Sequence, residues 1–212
     1  LMGLPADYSN PINIHPSVST KDPTEGNLKA IADRFYDGMV RCNDSVLKRL
    51  VIENDDKGCW NCMNLFVYFH QYMGHQHRHI MPLTYDNLHD KCNPSMLQTT
   101  TVTMEQNIDA FAKTWPDNVT PVFHWSNGKP DNKRSHADFA DGHPPEYDRP
   151  LIWEVEVKQK DFAIAKLQGK TVTSKKKAVP KTSKTKPSVK KILQKIEKAA
   201  PKSTTFNHLY GQ

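Results

Sequence analysis

The segment from Trp153 to Lys158, which reads WEVEVK, brings together charged side chains that could do chemistry. Its alternation of apolar and polar residues predicts a β-strand, in which successive side chains point to opposite faces. Glu154, Glu156 and Lys158 therefore share one face. Such a face is typical of an acidic cleft that binds a metal ion, but it is equally typical of the solvent side of a half-buried strand. We favour the solvent-side interpretation because the pattern is common.

Glu156 and Lys158, two residues apart on this strand, resemble the E-x-K half of the PD-(D/E)xK nuclease pattern. The resemblance implies that Glu156 binds Mg²⁺ and that Lys158 helps to position the attacking water. The other carboxylate would come from Asp131 or Asp138. A metal-dependent nuclease with these four residues as its catalytic site is therefore an alternative function. The chain departs from the pattern because residues rich in glycine and proline stand where the strand leading to the aspartate belongs.

Four cysteines and a dense group of histidines form a second candidate site. Cys59 and Cys62 have the C-x2-C spacing that usually forms the first half of a zinc site. Cys92 and His75 could complete a tetrahedral set, which makes zinc a candidate cofactor and a zinc-stabilised interaction module another alternative. Burial of the cysteines in the core, or a disulfide in an oxidising compartment, explains the same residues. No cofactor is favoured, because the spacing matches no known zinc finger. The histidines that could replace His75 are His77 and His79.

Lysines are concentrated near the C-terminus, where residues 170–202 contain twelve lysines and one acid. The net charge of this segment is +11, and the net charge of the remainder of the chain is −5. Lysine side chains neutralise phosphates and release counterions, whatever the base sequence. The composition resembles linker-histone tails and the basic extensions of ribosomal and virion proteins, which implies RNA or DNA as the partner. The residues predicted to contact the nucleic-acid backbone are Lys170, Lys175, Lys176, Lys177, Lys181, Lys184, Lys186, Lys190, Lys191 and Lys195.

The tail itself has two parts. Residues 170–187 are a low-complexity mixture of lysine, threonine, serine and proline, and are expected to be extended. Residues 188–200 predict a short amphipathic helix, because apolar residues recur at helical spacing with lysines opposite. We expect this helix to contact a protein neighbour. Its apolar residues are Val189, Ile192, Leu193 and Ile196.

Composition limits the class of protein. The chain has no run of eighteen apolar residues, so no transmembrane helix is expected. Four cysteines in 212 residues are too few for a typical disulfide scaffold, which favours an intracellular location. The nucleus, the mitochondrion and a virion are not distinguished.

The periodicity of apolar residues predicts an α+β fold. A helical N-terminal half is expected to pack with a small sheet formed by strands 119–125 and 151–158, followed by the extended basic tail. Residues 75–98 are expected to be an irregular connection, and 126–150 a long loop. The predicted domains are a polar arm (1–23), an α+β body (24–168) and the tail (169–212). Four helices are predicted. The first begins near residue 25, and the second begins near residue 44 and ends before the turn at 54–58. The third and fourth span about 59–73 and 104–115.

The primary hypothesis is a structural protein that binds nucleic acid, a subunit of a ribonucleoprotein or virion-like assembly. Its tail would contact RNA or DNA, and its body, arm and 188–200 helix would contact protein neighbours. This role requires no catalysis.

Overall fold

The computed structural model describes residues 3–16 and 18–171. Within these residues the fold is a mixture of helices and small sheets, so the predicted α+β class is confirmed. The expected 188–200 helix lies outside the described residues. No helix within 3–16 and 18–171 is long and apolar enough to cross a membrane. The strands are β1 (Ile12–Ile14), β2 (Leu50–Glu53), β3 (Leu83–Thr84), β4 (Met96–Leu97), β5 (Thr100–Thr101), β6 (Val122–Trp125) and β7 (Ile152–Val155).

Helices occupy most of the connections between the strands. Several begin at a side chain that accepts a hydrogen bond from the first turn, among them those of Thr24, Asn43 and Thr103. A π-helical stretch, Leu65–Tyr72, continues α3 into α4. The helices are α1 (Glu25–Met39), α2 (Asp44–Leu47), α3 (Cys62–Asn64), α4 (Met73–His77), α5 (Asn87–Cys92), α6 (Met104–Ala112) and α7 (Asp161–Leu167).

Five strands run parallel, and their carboxyl ends lie at the same edge. β1 pairs with β2 and β2 with β3, while β6 pairs with β7 in the register Val122 to Ile152. A parallel bridge between Asp86 and His124 connects the two groups of strands. Side chains at the ends of successive parallel strands therefore converge, which is the usual location of sites in such sheets.

The main core lies between this sheet and the helices. All four residues of β2 are buried, including Val51 and Ile52, which are completely inaccessible. Trp60 and Phe69 pack edge to face beneath the sheet, with ring centroids 4.9 Å apart. Burial on both faces gives β2 a continuous apolar sequence, as expected for a strand of a parallel sheet.

Two predicted elements differ from the structure. The second helix ends at Leu47, and Leu50–Glu53 is a strand. A buried strand lacks the polar alternation that distinguishes it from a helix, which is why the pattern misled. Residues 75–98 are not an irregular connection, because they contain the end of α4, then β3, α5 and β4. The expected small sheet does form, since β6 and β7 pair with each other.

Candidate metal centre

Four ionisable side chains meet at the carboxyl edge of the parallel strands. Glu53 is the last residue of β2, Asp86 follows β3, His124 lies in β6 and Glu156 follows β7. Their ligand atoms all lie within 4.8 Å of one another. The convergence follows directly from parallel pairing, which brings residues far apart in sequence to one edge.

Glu53 is at the centre of this group and is only 3% exposed. Its Oε1 lies 3.2 Å from His89 Nδ1 and 3.2 Å from His124 Nδ1. Its Oε2 accepts a hydrogen bond from the Asn13 amide and lies 3.7 Å from His15 Nε2. His15, Glu53 and His89 form a second group with metal-ligand spacing. One carboxylate therefore belongs to two adjoining ligand sets, as in sites where a carboxylate bridges two metal ions.

The carboxylates and imidazoles of this group shift one another's pKa values. Burial raises the pKa of Glu53, but contacts with His124 and His89 and the charge of His15 outweigh it and bring the pKa well below its usual range. Burial lowers the pKa of His89 and of His124, but contact with Glu53 and nearby carboxylate charges raise both to about 9. Burial raises the pKa of Asp86. Without a metal ion, imidazolium protons therefore compensate the carboxylates.

The chemistry of these side chains fits a divalent metal ion. Asp86 Oδ2 and His124 Nδ1 are both buried and neither makes a well-aligned hydrogen bond, although His124 Nδ1 lies 3.2 Å from Glu53 Oε1 as an ion pair. An unsatisfied buried polar atom costs free energy, and metal coordination would remove that cost. A mixture of imidazole nitrogen and carboxylate oxygen suits several first-row transition metals and does not select one.

Two asparagines fasten the strand ends around this centre. Asn54 donates to the Asp86 carbonyl at 3.0 Å and accepts from the Asp86 amide at 2.8 Å. Asn87 bonds in the same way to Ser126, at 2.9 Å and 2.8 Å. Each side-chain amide thus replaces the backbone pairing that stops where the strands end. This arrangement fixes the spacing between β2, β3 and β6 at the residues that carry the ligands.

Accessibility increases toward β7. Glu53, Asp86 and His124 are buried, whereas the side chains of Glu156 and Glu154 are 37% and 62% exposed. Glu154 Oε2 lies 3.6 Å from His124 Nε2. The centre is therefore accessible from the side of Glu154 and Glu156.

The centre is supported from behind by the buried side chain of Asp90. Its carboxylate accepts hydrogen bonds from Tyr85 at 2.9 Å and from Asn107 at 3.0 Å, and it receives the Cys62 thiol at 3.7 Å. Burial raises the pKa of Asp90, and these three donors oppose the rise. Because Asp90 adjoins His89 on α5, the network holds this helix in place beneath the centre.

The residues of the predicted nuclease site are not all together. Glu156 belongs to the cluster, whereas Lys158, Asp131 and Asp138 are exposed and belong to neither ligand set within the described residues. The charges of Asp138 and Asp131 nevertheless act on Lys158. The structure adds His124, which β6 places against Glu156 at 3.6 Å.

The residues of the predicted zinc site are also dispersed. All four cysteines are free thiols. Cys62 is directed to Asp90, Cys59 lies 3.7 Å from Ser19 Oγ, and Cys92 is directed to the Lys133 carbonyl. His75 is exposed. Neither ligand set found in residues 3–16 and 18–171 contains a cysteine. Of the lysines predicted to bind nucleic acid, Lys170 is described and exposed, and the others lie outside the described residues.

The comparisons with known proteins agree with a metal centre of this kind. The family model described as UV-endonuclease UvdE matches residues 1–186. This chain therefore belongs to the UvdE family. Enzymes of this family are metal-dependent.

Among solved structures, one titled "Crystal Structure of SacUVDE" is similar with a TM-score of 0.54 and 21% sequence identity. The match covers 76% of this chain and 53% of that chain, so this chain spans about half the length of the solved relative. At this identity the likeness shows the fold. No curated protein matches the sequence.

Family membership overturns the primary hypothesis. The prediction of a structural ribonucleoprotein or virion subunit is wrong, because the family is one of DNA-repair endonucleases. The charge of the tail misled the interpretation, since a basic tail indicates a polyanion partner and not a class of protein. The metal-dependent nuclease alternative agrees better with the family.

Sequence reasoning missed Glu53, Asp86 and His124 as members of one site. Two local signals were present. Glu53 ends a short apolar run and is followed by Asn54, as expected for a polar side chain at a strand end. Asp86 and His89 are three residues apart at the start of a helix, which places them on one face. Neither signal reveals that β2, β3 and β6 are adjacent.

Proposed function

We propose that this chain forms the metal centre of a DNA endonuclease that acts on ultraviolet-damaged DNA. The observation that carries the proposal is the convergence of Glu53, Asp86, His124 and Glu156 within 4.8 Å, with unsatisfied ligand atoms on two of them. The family description supports the substrate.

Two groups of the described residues would each bind a metal ion in such a reaction. Glu53, Asp86, His124 and Glu156 would hold one metal ion, and His15 and His89 would join Glu53 in holding a second. Bound divalent metal ions offset the repulsion between carboxylates and phosphates, polarise the phosphoryl oxygen and lower the pKa of the attacking water.

The other contacts determine where the substrate can lie. Burial of Glu53 and Asp86 closes the inner side, so the phosphodiester approaches past Glu154 and Glu156. His136 Nε2 lies 3.7 Å from Glu156 Oε2, on the same open side. An imidazole there can hold a proton close to the leaving oxygen or to Glu156.

The lysines of the tail are a separate part of the proposal. Lysines from Lys170 to Lys195 would contact the DNA backbone without reading its sequence, which adds affinity that depends strongly on salt. Removal of residues 170–212 should therefore weaken binding at low salt but leave the metal centre and its cleavage chemistry in place.

The decisive experiment is cleavage of irradiated and unirradiated duplex DNA with Mg²⁺, Mn²⁺, Co²⁺, Zn²⁺ or a chelator. Glu53→Gln keeps the shape of the side chain and removes its charge. Glu105→Gln is the matched control, because Glu105 is exposed on α6 and lies outside both ligand sets. The proposal predicts metal-dependent cleavage that disappears in Glu53→Gln alone. Cleavage that persists in the chelator, or in Glu53→Gln, would reject it.

A further inference from the structure

A positively charged groove lies beside the metal centre, between the C-terminal end of α5 and the segment 127–134. It encloses about 590 Å³. We propose that this groove binds the phosphodiester backbone of DNA next to the bond that is cut. The inference rests on the proposed function, since it names how the substrate is held. The cationic residues that line the groove are Lys91, Lys129, Lys133 and Arg134.

Backbone hydrogen bonds order the segment that forms one wall of the groove. Gly128 forms an antiparallel bridge with His136, and the Lys129 amide donates to the Ser135 carbonyl at 2.9 Å. A Cβ at Gly128 would lie 2.1 Å from the Lys133 carbonyl oxygen, so only glycine permits this close approach. The bridge therefore defines a tight hairpin, which we call the 127–137 hairpin.

Two contacts fasten the 127–137 hairpin to the rest of the fold. Arg134 Nε lies 3.6 Å from Asp56 Oδ2, and the Cys92 thiol donates to the Lys133 carbonyl at 3.5 Å. These contacts fix the position of the hairpin backbone that carries Lys129 and Lys133. Preorganised cations bind phosphates at a lower entropic cost than cations on a mobile loop.

The protein compensates only part of the positive charge in the groove, since Arg134 alone of its four cations pairs with a carboxylate, that of Asp56, among the described residues. Within residues 3–16 and 18–171, Lys91, Lys129 and Lys133 form no ion pair with a carboxylate within 4.0 Å. The acid in the lining, Asp141, is held by Asn127, whose amide donates to its carboxylate at 2.9 Å. The groove therefore has an excess of positive charge, although the net charge of the chain outside residues 170–202 is −5.

Lys158 adds a further cation at the edge of this surface. Its amide donates to the Ala137 carbonyl at 3.0 Å, which places Lys158 against the 127–137 hairpin. A phosphate between Lys158 and the lysines of the groove would offset the repulsion between their like charges.

The position relative to the metal centre suits a flanking phosphate. His136 lies on the 127–137 hairpin and contacts Glu156, so the hairpin forms part of both the groove and the centre. The acidic centre would repel phosphate until metal ions bind. The groove supplies affinity for neighbouring phosphates that does not depend on the metal.

The test is DNA binding by the full chain in a chelator, which separates binding from cleavage. The variant Lys129→Gln with Lys133→Gln removes two charges from the groove. The control Lys48→Gln with Lys113→Gln removes two charges that precede β2 and β6, at the opposite end of the strands. Fluorescence anisotropy with labelled irradiated duplex gives the dissociation constant across a salt series.

We expect the groove variant to weaken binding about tenfold and to reduce the salt slope by about two, since each phosphate contact contributes about 0.9 to it. The control should change affinity less than about twofold, because Lys48 and Lys113 lie outside the groove and are paired with Asp44 and Asp109. Equal affinities and slopes for the two variants would overturn the proposal. So would displacement of DNA by polyglutamate as effectively as by a single-stranded oligonucleotide of equal charge, which would indicate an acidic protein partner. If the two variants differ in DNA binding as expected but no metal ion promotes cleavage, the proposed DNA-binding groove is supported and the proposed endonuclease function is rejected.

Discussion

The side-chain amide of Asn54 bonds to both backbone groups of Asp86, at 2.8 Å and 3.0 Å. Asn54 is completely buried and directly follows Glu53. One amide therefore sets the distance between the two strand ends that carry Glu53 and Asp86. Positions of metal ligands depend on such supporting hydrogen bonds as much as on the ligands themselves.

Replacement of Asn54 by alanine should impair both stability and metal binding. It leaves the buried Asp86 amide without a partner and removes one of the two donors to the Asp86 carbonyl, which keeps the Asp90 amide at 3.1 Å. The expected cost is about 1 to 3 kcal/mol in the free energy of unfolding. Urea denaturation in a chelator measures the loss of stability, and calorimetric titration with Mn²⁺ measures affinity. Asn118→Ala, at an exposed turn position, is the control. A change below about 0.5 kcal/mol, with normal metal affinity, would contradict the role assigned to Asn54.

Stability of the metal-free protein should fall as the pH rises from about 6.5 to about 9. His89 and His124 have folded-state pKa values of about 9, above the usual value of 6.5. A raised pKa contributes stability that is complete below the unfolded value and is lost as the pH rises through the folded value. We expect a loss on the order of 3 kcal/mol, measured by urea denaturation in a chelator at several pH values. A flat profile over this range would contradict the imidazolium–carboxylate pairing.

Metal affinity should change in the opposite direction and rise with pH. Coordination requires neutral imidazole, so binding must displace the protons of His89 and His124. Calorimetry in buffers of different ionisation enthalpy counts the protons released, and we expect about two when both ligand sets are filled. Proton release that is absent at pH 7 would show that these histidines are not ligands.

Cysteine variants should leave metal binding unchanged. Cys59→Ser with Cys92→Ser removes two of the thiols in the zinc alternative, and neither thiol is in the two described ligand sets. Metal analysis of the purified variant should give the same stoichiometry as the unmodified chain, whereas Asp86→Asn should reduce it. Loss of metal in the cysteine variant would restore the zinc alternative.

The sequence predicted the local elements better than it predicted their arrangement. β7 was recognisable because Trp153 and Val155 alternate with glutamates, and the apolar stripe of α1 marked a helix. β2 was taken for the end of a helix, because a strand buried on both faces has no polar alternation. β3 has only two residues and gave no usable pattern.

The site was harder to predict for a physical reason. Glu156 was singled out on its own strand, but His124 lies opposite the Glu154 region only because β6 pairs with β7 in parallel. Glu53 and Asp86 join them through parallel pairing across connections of about thirty residues, which no local pattern encodes. The strong charge of the tail directed attention away from the acidic body.

The central claim is that Glu53 organises a metal centre that cuts DNA. Its most direct test is cleavage of irradiated duplex DNA by the unmodified chain, Glu53→Gln and Glu105→Gln, with Mn²⁺ and with a chelator. We predict cleavage by the unmodified chain and by Glu105→Gln in Mn²⁺, at least about a hundredfold less by Glu53→Gln, and none in the chelator. Equal cleavage by Glu53→Gln and the unmodified chain would contradict the claim.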